Sequence, residues 1–291
     1  MSFYRNNIKS YLPKFFIYFL AKTKKKFREY SRSRWLINNT TTKIFGRQYS
    51  RSLDLMEIDL TYDCNLSCKH CNRSCPQASS KDMITVEQIK KMLKESIDNN
   101  IIWKRMRLLG GEPTMHPDII NIVRELYEYK KTFSPNLKIV LVTNGISLDG
   151  QNIAHQLKKD YDVEIEDSSK NPARHIDFIA FNQAPLDDNK FKQADYTNGC
   201  SVLKDCGVGF TPYGFYPCAI AGGIDRVIGL DKGYKKIPNK DDKMFDQLSI
   251  FCPWCGHFKM NYGSAIDQGK SASWIKKYEE YQKNEPKLTR Y

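Results

Sequence analysis

At 291 residues the chain is long enough for one large domain, or one domain with an appendage, and no apolar run reaches membrane-spanning length, so a soluble core is expected. Nine cysteines in short clustered spacings, with no convincing leader, argue against a secreted disulfide protein; FFIYFLA at 15–21 is followed by KTKKK instead of a small-residue cleavage site. The net charge of +13 is uneven: residues 1–52 hold 13 Lys and Arg against Glu29 alone, leaving 33 basic and 32 acidic residues in the rest.

The basic segment 1–52 carries an apolar stripe, Ile8, Leu12, Phe15, Phe16, Phe19 and Leu20, at helical spacing and flanked by Lys14, Lys22 and Lys24 to Lys26. This is the pattern of an amphipathic helix on an anionic membrane surface, engaged through residues 1–30. A helix packed on the protein's own body gives the same stripe, and both readings stay open.

From Leu53 the texture becomes alternating strand and helix. LDLMEIDLT (53–61) reads as a strand and TVEQIKKMLKESI (85–97) as a helix with Thr85 and Gln88 in capping-box spacing. RMRLLGG (105–111) reads as a short buried strand, and Pro117 suits the first turn of a helix through IINIVRELYEY. KIVLVTNG (138–145) is a strand ended by a turn, QNIAHQLKKDY (151–161) a helix and IDFIAFN (176–182) a further strand. Four βα units predict a parallel sheet, open or closed into a partial barrel, over 53–199. Residues 200–262, rich in Gly, Pro, Lys and Cys, predict a small unit stapled by metal in place of a core, and 263–291 a closing helix at SASWIKKYEEYQ.

The chemistry sits in CNLSCKHC (64–71), where Cys64, Cys68 and Cys71 are spaced C-x3-C-x2-C. Three thiolates on one loop suit an iron–sulfur cluster with one iron open to an outside ligand. Zinc is the competing metal, although paired C-x2-C knuckles are its usual pattern. The loop follows the first strand, the second strand ends in Gly110-Gly111-Glu112, and the third in Thr143-Asn144-Gly145. In this order and context the segment 53–182 resembles the radical S-adenosylmethionine (SAM) superfamily.

The resemblance implies an α/β fold, a partial TIM-like (βα) barrel. It implies a [4Fe–4S] cluster on Cys64, Cys68 and Cys71 whose open iron chelates SAM. It places His70 near the adenine, Gly110, Gly111 and Glu112 at the SAM ammonium, and Thr143, Asn144 and Asn182 at ribose or carboxylate. Asn-Gly is also ordinary turn chemistry, an alternative account of Asn144. Only four strands are legible where the family's full barrel has six, so the barrel is truncated or its last strands lie in 200–230.

Cys200, Cys206, Cys218, Cys252 and Cys255 form a second set, and GFTPYGFYPC (209–218) resembles the hairpin of the SPASM and twitch modules. Five cysteines permit one auxiliary [4Fe–4S] cluster, which favours the twitch form. The preferred ligands are Cys200, Cys218, Cys252 and Cys255, with Cys206 as a rival for one place and a zinc knuckle as the competing account. Cys75 and Cys206 are then either small buried hydrophobes or hydrogen donors to a substrate radical.

The resemblance implies a deoxyadenosyl radical that removes hydrogen from a substrate C–H bond. The architecture is similar to that of aminoglycoside-pathway radical SAM dehydrogenases, which favours oxidation or epimerisation of a sugar, cyclitol or sugar nucleotide. A maturase acting on a ribosomally made peptide is the alternative. A nucleic-acid-directed enzyme ranks third, because the basic segment lacks a recognisable nucleic-acid-binding fold. A flavodoxin or ferredoxin is the expected reductant, and the cytoplasm, with or without contact to the inner membrane face, the expected location.

Overall fold

A computed structural model describes residues 37–168, 180–259 and 269–291, together with Thr23, Ser31 and Trp35. The expected amphipathic helix at 8–20, most of the expected strand at 176–182 and the membrane-facing segment lie outside the described residues. Among the described residues no helix is long and apolar enough to cross a membrane.

A short helix α1 (Asn39–Phe45), capped by the Asn38 side chain, leads into strand β1 (Leu55–Thr61). Helix α2 (Val86–Asp98) starts at the expected capping box: the Gln88 amide donates to the Thr85 hydroxyl at 3.1 Å and the Thr85 amide to the Gln88 side chain at 2.9 Å. Strand β2 (Arg105–Gly110), helix α3 (Ile119–Thr132), strand β3 (Lys138–Thr143) and helix α4 (Leu148–Tyr161) follow close to the expected places. The next described strand is β4 (Glu164–Asp167); of the expected strand at 176–182 only Ala180–Asn182 are described, and they form no strand. The Glu-Ile-Glu-Asp run of β4 carries one apolar residue, too little to register as an apolar strand.

Beyond a one-turn helix α5 (Val202–Asp205), strands β5 (Val208–Thr211) and β6 (Gly214–Tyr216) form a hairpin. Helices α6 (Ala219–Ile228), α7 (Phe245–Phe251) and α8 (Ala272–Lys283) complete the described chain, α8 lying where the closing helix is expected. The six strands make one sheet in the order β4-β3-β2-β1-β5-β6. All neighbours are parallel except the β5–β6 hairpin. The cysteine-rich region is therefore not a separate appendage, because β5 pairs directly with β1. Nor does it lack a core: its Tyr216, Ile224, Val227 and Phe251 pack with Phe181, Trp274 and Tyr278 from outside the region into a second buried cluster.

Successive side chains of a strand face opposite ways. On β1, Met56, Ile58 and Leu60 join Met106 and Leu108 of β2 and Ile89, Ile122 and Leu126 of the helices in the main core. The other face of the same strands carries Glu57 and Asp59, buried although charged, and Arg107. Register places Glu57 opposite Arg107 and Asp59 opposite Leu109. This charged inner face is the floor of the site.

Candidate active site

The three cysteines of CNLSCKHC line one cavity of about 490 Å³ above the strand ends, together with Gly110, Gly111, Glu112 and Asn144. The loop is held through its carbonyls: the Gln77 amide donates to those of Cys68 and Lys69, both at 2.8 Å. Burial pushes the Cys64 thiol up to about 11, and the neighbouring thiols of Cys71 and Cys68 add to the rise. Thiols this close cannot all ionise alone, and a cationic centre that displaces their protons resolves the conflict. None of the nine cysteines is in a disulfide. Among the described residues no three His, Cys, Asp or Glu side chains meet at single-ion distance. The donor set and the space above it fit a cluster bound by thiolates.

The two glycines bring β2 against β1. At Gly110 φ is +129°, and a Cβ on Gly111 would lie 1.9 Å from the Asp63 carbonyl oxygen. The Gly111 and Glu112 amides donate to the Thr61 and Asp63 carbonyls at 2.6 and 2.8 Å. The glycines thus serve first to let β2 abut the start of the cysteine loop. Glu112, 2% exposed, ties the ends of β2 and β3 together. Its Oε1 accepts from the Thr114 amide (3.1 Å) and from the Thr114 and Thr143 hydroxyls (both 2.7 Å), and its Oε2 from the Asn144 amide at 2.8 Å. Oε2, with one donor, is the oxygen left to meet a cationic ligand.

Asn144 does two things. Its Oδ1 accepts from the Ile146 amide at 3.1 Å, the expected turn chemistry, while its Nδ2 donates to Asn65 Oδ1 of the cysteine loop at 2.7 Å. Thr143, His70 and Asn182 do not line the cavity. Thr143 acts through Glu112, and His70 Nδ1 pairs with Asn182 Oδ1 at 2.6 Å, leaving the buried Nε2 without a partner among the described residues. Cys75 also lies off the cavity, buried with Tyr62 and Tyr213 against Cys71.

The far wall holds residues that motif reading misses. Arg73 pairs with Glu57 at 3.0 Å and with Asp59 at 3.1 Å, and Arg107 joins Glu57 and, at 2.6 Å, Glu166 of β4. Glu57, Arg73, Arg107, Glu166, Asp167, Ser168 and Cys206 all border the cavity. Burial raises the Glu57 pKa, but Arg73 and Arg107 outweigh it and hold the group below the ordinary carboxylate range. Burial, only partly offset by Arg73, lifts Asp59 to about 6. Burial and the Glu57 charge keep the Cys206 thiol protonated. The alternation of charge in Leu-Met-Glu-Ile-Asp and Arg-Met-Arg was the available signal: period two on a buried strand aims every second residue inward.

The second cysteine set separates cleanly. Cys200, Cys218, Cys252 and Cys255 line one apolar pocket with Val202, Leu203, Ile220 and Phe251, whereas Cys206 faces the large cavity. Burial pushes Cys218 up to about 12, with Cys200 adding to it, and Cys255 likewise rises beside Cys200 and Cys218. The space between these thiols is only about 20 Å³, room for about one water, so its walls must move outward to seat a cluster. Val202 and Ile220 border both spaces, a wall one side chain thick.

A partly parallel sheet with three thiols at the end of its first strand and a Gly-Gly-Glu turn at the end of its second defines a class. Residues 58–165 match the family described as the Radical SAM superfamily. Among characterised proteins the chain is similar to GTP 3′,8-cyclase of Aliarcobacter butzleri, 28% identical over 134 residues, 44% of this chain and 39% of that protein. It is also similar to Molybdenum cofactor biosynthesis protein 1 of Mus musculus, 35% identical over 113 residues, 37% of this chain and 16% of that protein. The chain therefore spans well under two thirds of the length of these relatives. The solved structure of BtrN in complex with AdoMet and 2-DOIA aligns with a TM-score of 0.40 at 12% identity, over 72% of this chain and 89% of that one.

Proposed function

We propose that the chain is a radical SAM oxidoreductase with two thiolate-bound clusters, acting on a polyhydroxylated small molecule such as a sugar, cyclitol or sugar nucleotide. The observation that carries this reading is the shared wall: the four-cysteine pocket touches the large cavity through Val202 and Ile220. When bound, a [4Fe–4S] cluster with SAM supplies a 5′-deoxyadenosyl radical, and a second cluster supplies a one-electron acceptor beside the substrate.

The chain's residues do the rest. Cys64, Cys68 and Cys71 hold the first cluster, and Glu112 Oε2 with the backbone at Gly110 and Gly111 receives the SAM ammonium. Cys200, Cys218, Cys252 and Cys255 hold the second. The charged wall of Arg73, Arg107, Glu57 and Glu166 offers paired donors and acceptors to a polyol. In the oxidation of an alcohol here, SAM bound at the first cluster would supply the hydrogen-abstracting group, a second cluster held by the four cysteines would supply the electron acceptor behind Val202 and Ile220, and a carboxylate of β4 would take the hydroxyl proton. Glu166, half exposed and 2.6 Å from Arg107, is the carboxylate placed for that proton. Peptide modification and, following the relatives' name, reaction on GTP are the competing readings.

Anaerobic reconstitution of the full chain, with iron and sulfide counted, tests the cofactor content: about eight irons per chain is expected and about four removes the second cluster from the reading. Zinc without iron overturns it altogether. Incubation with SAM, a strong reductant and panels of polyols, peptides or GTP then tests the substrate. An oxidised polyol with stoichiometric 5′-deoxyadenosine is expected, and turnover of peptide or GTP alone would replace it.

A further inference from the structure

The described residues hold two deeply buried arginines behind the cysteine loop, and they differ in their partners. Arg73 has two carboxylates, Glu57 and Asp59. Arg226, on α6 and 1% exposed, has none within ion-pair distance among the described residues. Its Nη1 donates to the Ala78 carbonyl at 2.7 Å and to the Tyr281 hydroxyl at 3.0 Å. Its Nη2 donates to the Arg73 carbonyl at 2.9 Å and more distantly to that of Ser74, and its Nε is buried without a partner. The guanidinium lies 4.4 Å from the centre of the Tyr62 ring. The carboxylates reached through this network are both indirect: Glu285, exposed and linked through the Tyr281 hydroxyl at 2.6 Å, and Asp59, already paired with Arg73 and linked through the Tyr62 hydroxyl at 3.5 Å.

An arginine cannot shed its proton, and burying a cation without a direct counter-charge is strongly unfavourable. Neutral carbonyls and a ring face repay part of that cost, not all of it. Tyr62 itself packs in one cluster with Cys75, Cys64 and Cys71. The carbonyls Arg226 grips belong to Arg73, Ser74 and Ala78, the residues that follow Cys71 in the chain. Cys218 of the other cysteine set occupies the residue immediately before helix α6.

We infer that Arg226 is a positioning residue for the first cluster: it seats the back of the cysteine loop and supplies the buried positive charge that balances an anionic thiolate-bound centre there. This rests on the radical SAM reading above and adds a function for a residue outside every motif. A fixed cation near the cluster favours its reduced, more negative form, so the charge raises the reduction potential. Because α6 begins just after Cys218 and carries Arg226, the same rod links the seating of both cysteine sets.

The test is an EPR-monitored redox titration of the reconstituted full chain, reading the signal that changes when SAM is added. Arg226→Lys should keep the iron content and leave the potential close to that of the unmodified protein. Arg226→Gln should keep iron and shift the potential negative. Tyr281→Glu, which sets a carboxylate beside Nη1 without touching the arginine, should shift it the same way. Loss of the first cluster in Arg226→Gln but not Arg226→Lys also supports the inference. Native potential in Arg226→Gln or in Tyr281→Glu with iron retained overturns it, as does equal loss of iron in Arg226→Lys and Arg226→Gln. If Arg226→Gln fails to fold by near-UV circular dichroism, Tyr281→Glu decides alone. Absence of iron from the unmodified protein defeats the radical SAM reading itself and is seen before any variant is made.

Discussion

The two cysteine sets occupy opposite kinds of ground. Cys64, Cys68 and Cys71 open onto a cavity of about 490 Å³ whose far wall is charged, while Cys200, Cys218, Cys252 and Cys255 close on about 20 Å³ lined by Val, Leu, Ile and Phe. A roomy polar space beside three thiols leaves a place for a ligand that completes the coordination and for a substrate beyond it. A tight apolar pocket with four thiols suits a closed site with no outside ligand. On the reading proposed above, this difference in environment is what would separate a reacting centre from one that passes electrons.

The largest expected effect breaks that contrast outright. Replacing Cys64, Cys68 or Cys71 by Ala should abolish 5′-deoxyadenosine formation and remove about four irons per chain, measured by chromatography and iron assay. Cys252→Ala should instead preserve SAM cleavage while the oxidised product is lost, so that cleavage becomes uncoupled from turnover. Equal loss of both activities in the two kinds of variant would erase the distinction.

A smaller effect sharpens the role of the charged wall. Arg73→Met leaves Glu57 and Asp59 buried without their common partner, and denaturant unfolding should show a loss of about 3–5 kcal/mol. A loss near zero would mean that Arg107 alone balances the wall. The smallest effect is a pH dependence. Asp59 is lifted to about 6, so the folded chain holds a proton there that the unfolded chain has released by that pH. The stability linked to that proton is complete below about 4 and lost as pH rises to about 6, a span worth about 3 kcal/mol. Asp59→Asn should lack this fall, so its stability relative to the unmodified protein should rise between those limits and level off above. A difference that runs the other way would show that Arg73 holds Asp59 ionised.

Much of the site was legible because it is local. The spacing of Cys64, Cys68 and Cys71 needs only one loop, and the Gly110-Gly111-Glu112 and Thr143-Asn144-Gly145 turns follow strands whose apolar content is plain. The capping box at Thr85 and Gln88 spans a single turn. The ladder from Glu57 to Arg107 to Glu166 was harder to read, since it depends on the register of β1, β2 and β4. His70 illustrates the limit from the other side: its position beside Cys71 suggested a ligand contact, yet Asn182, far away in the chain, takes its ring nitrogen. The glycines were found for an incomplete reason, because their first neighbours are the Thr61 and Asp63 backbones.

The sequence by itself determined the thiol loop, the strand–turn order that gives it a chemical context, and the existence of a second cysteine set, since each is written in short spacings. Only the tertiary structure decided which four of five cysteines share a pocket, that β5 lies beside β1, and that Arg226 backs the loop with no carboxylate in ion-pair contact among the described residues. Those outcomes depend on residues distant in the chain being brought within a few ångströms, and the cost of burying a charge or an amide is settled only when its neighbours are known.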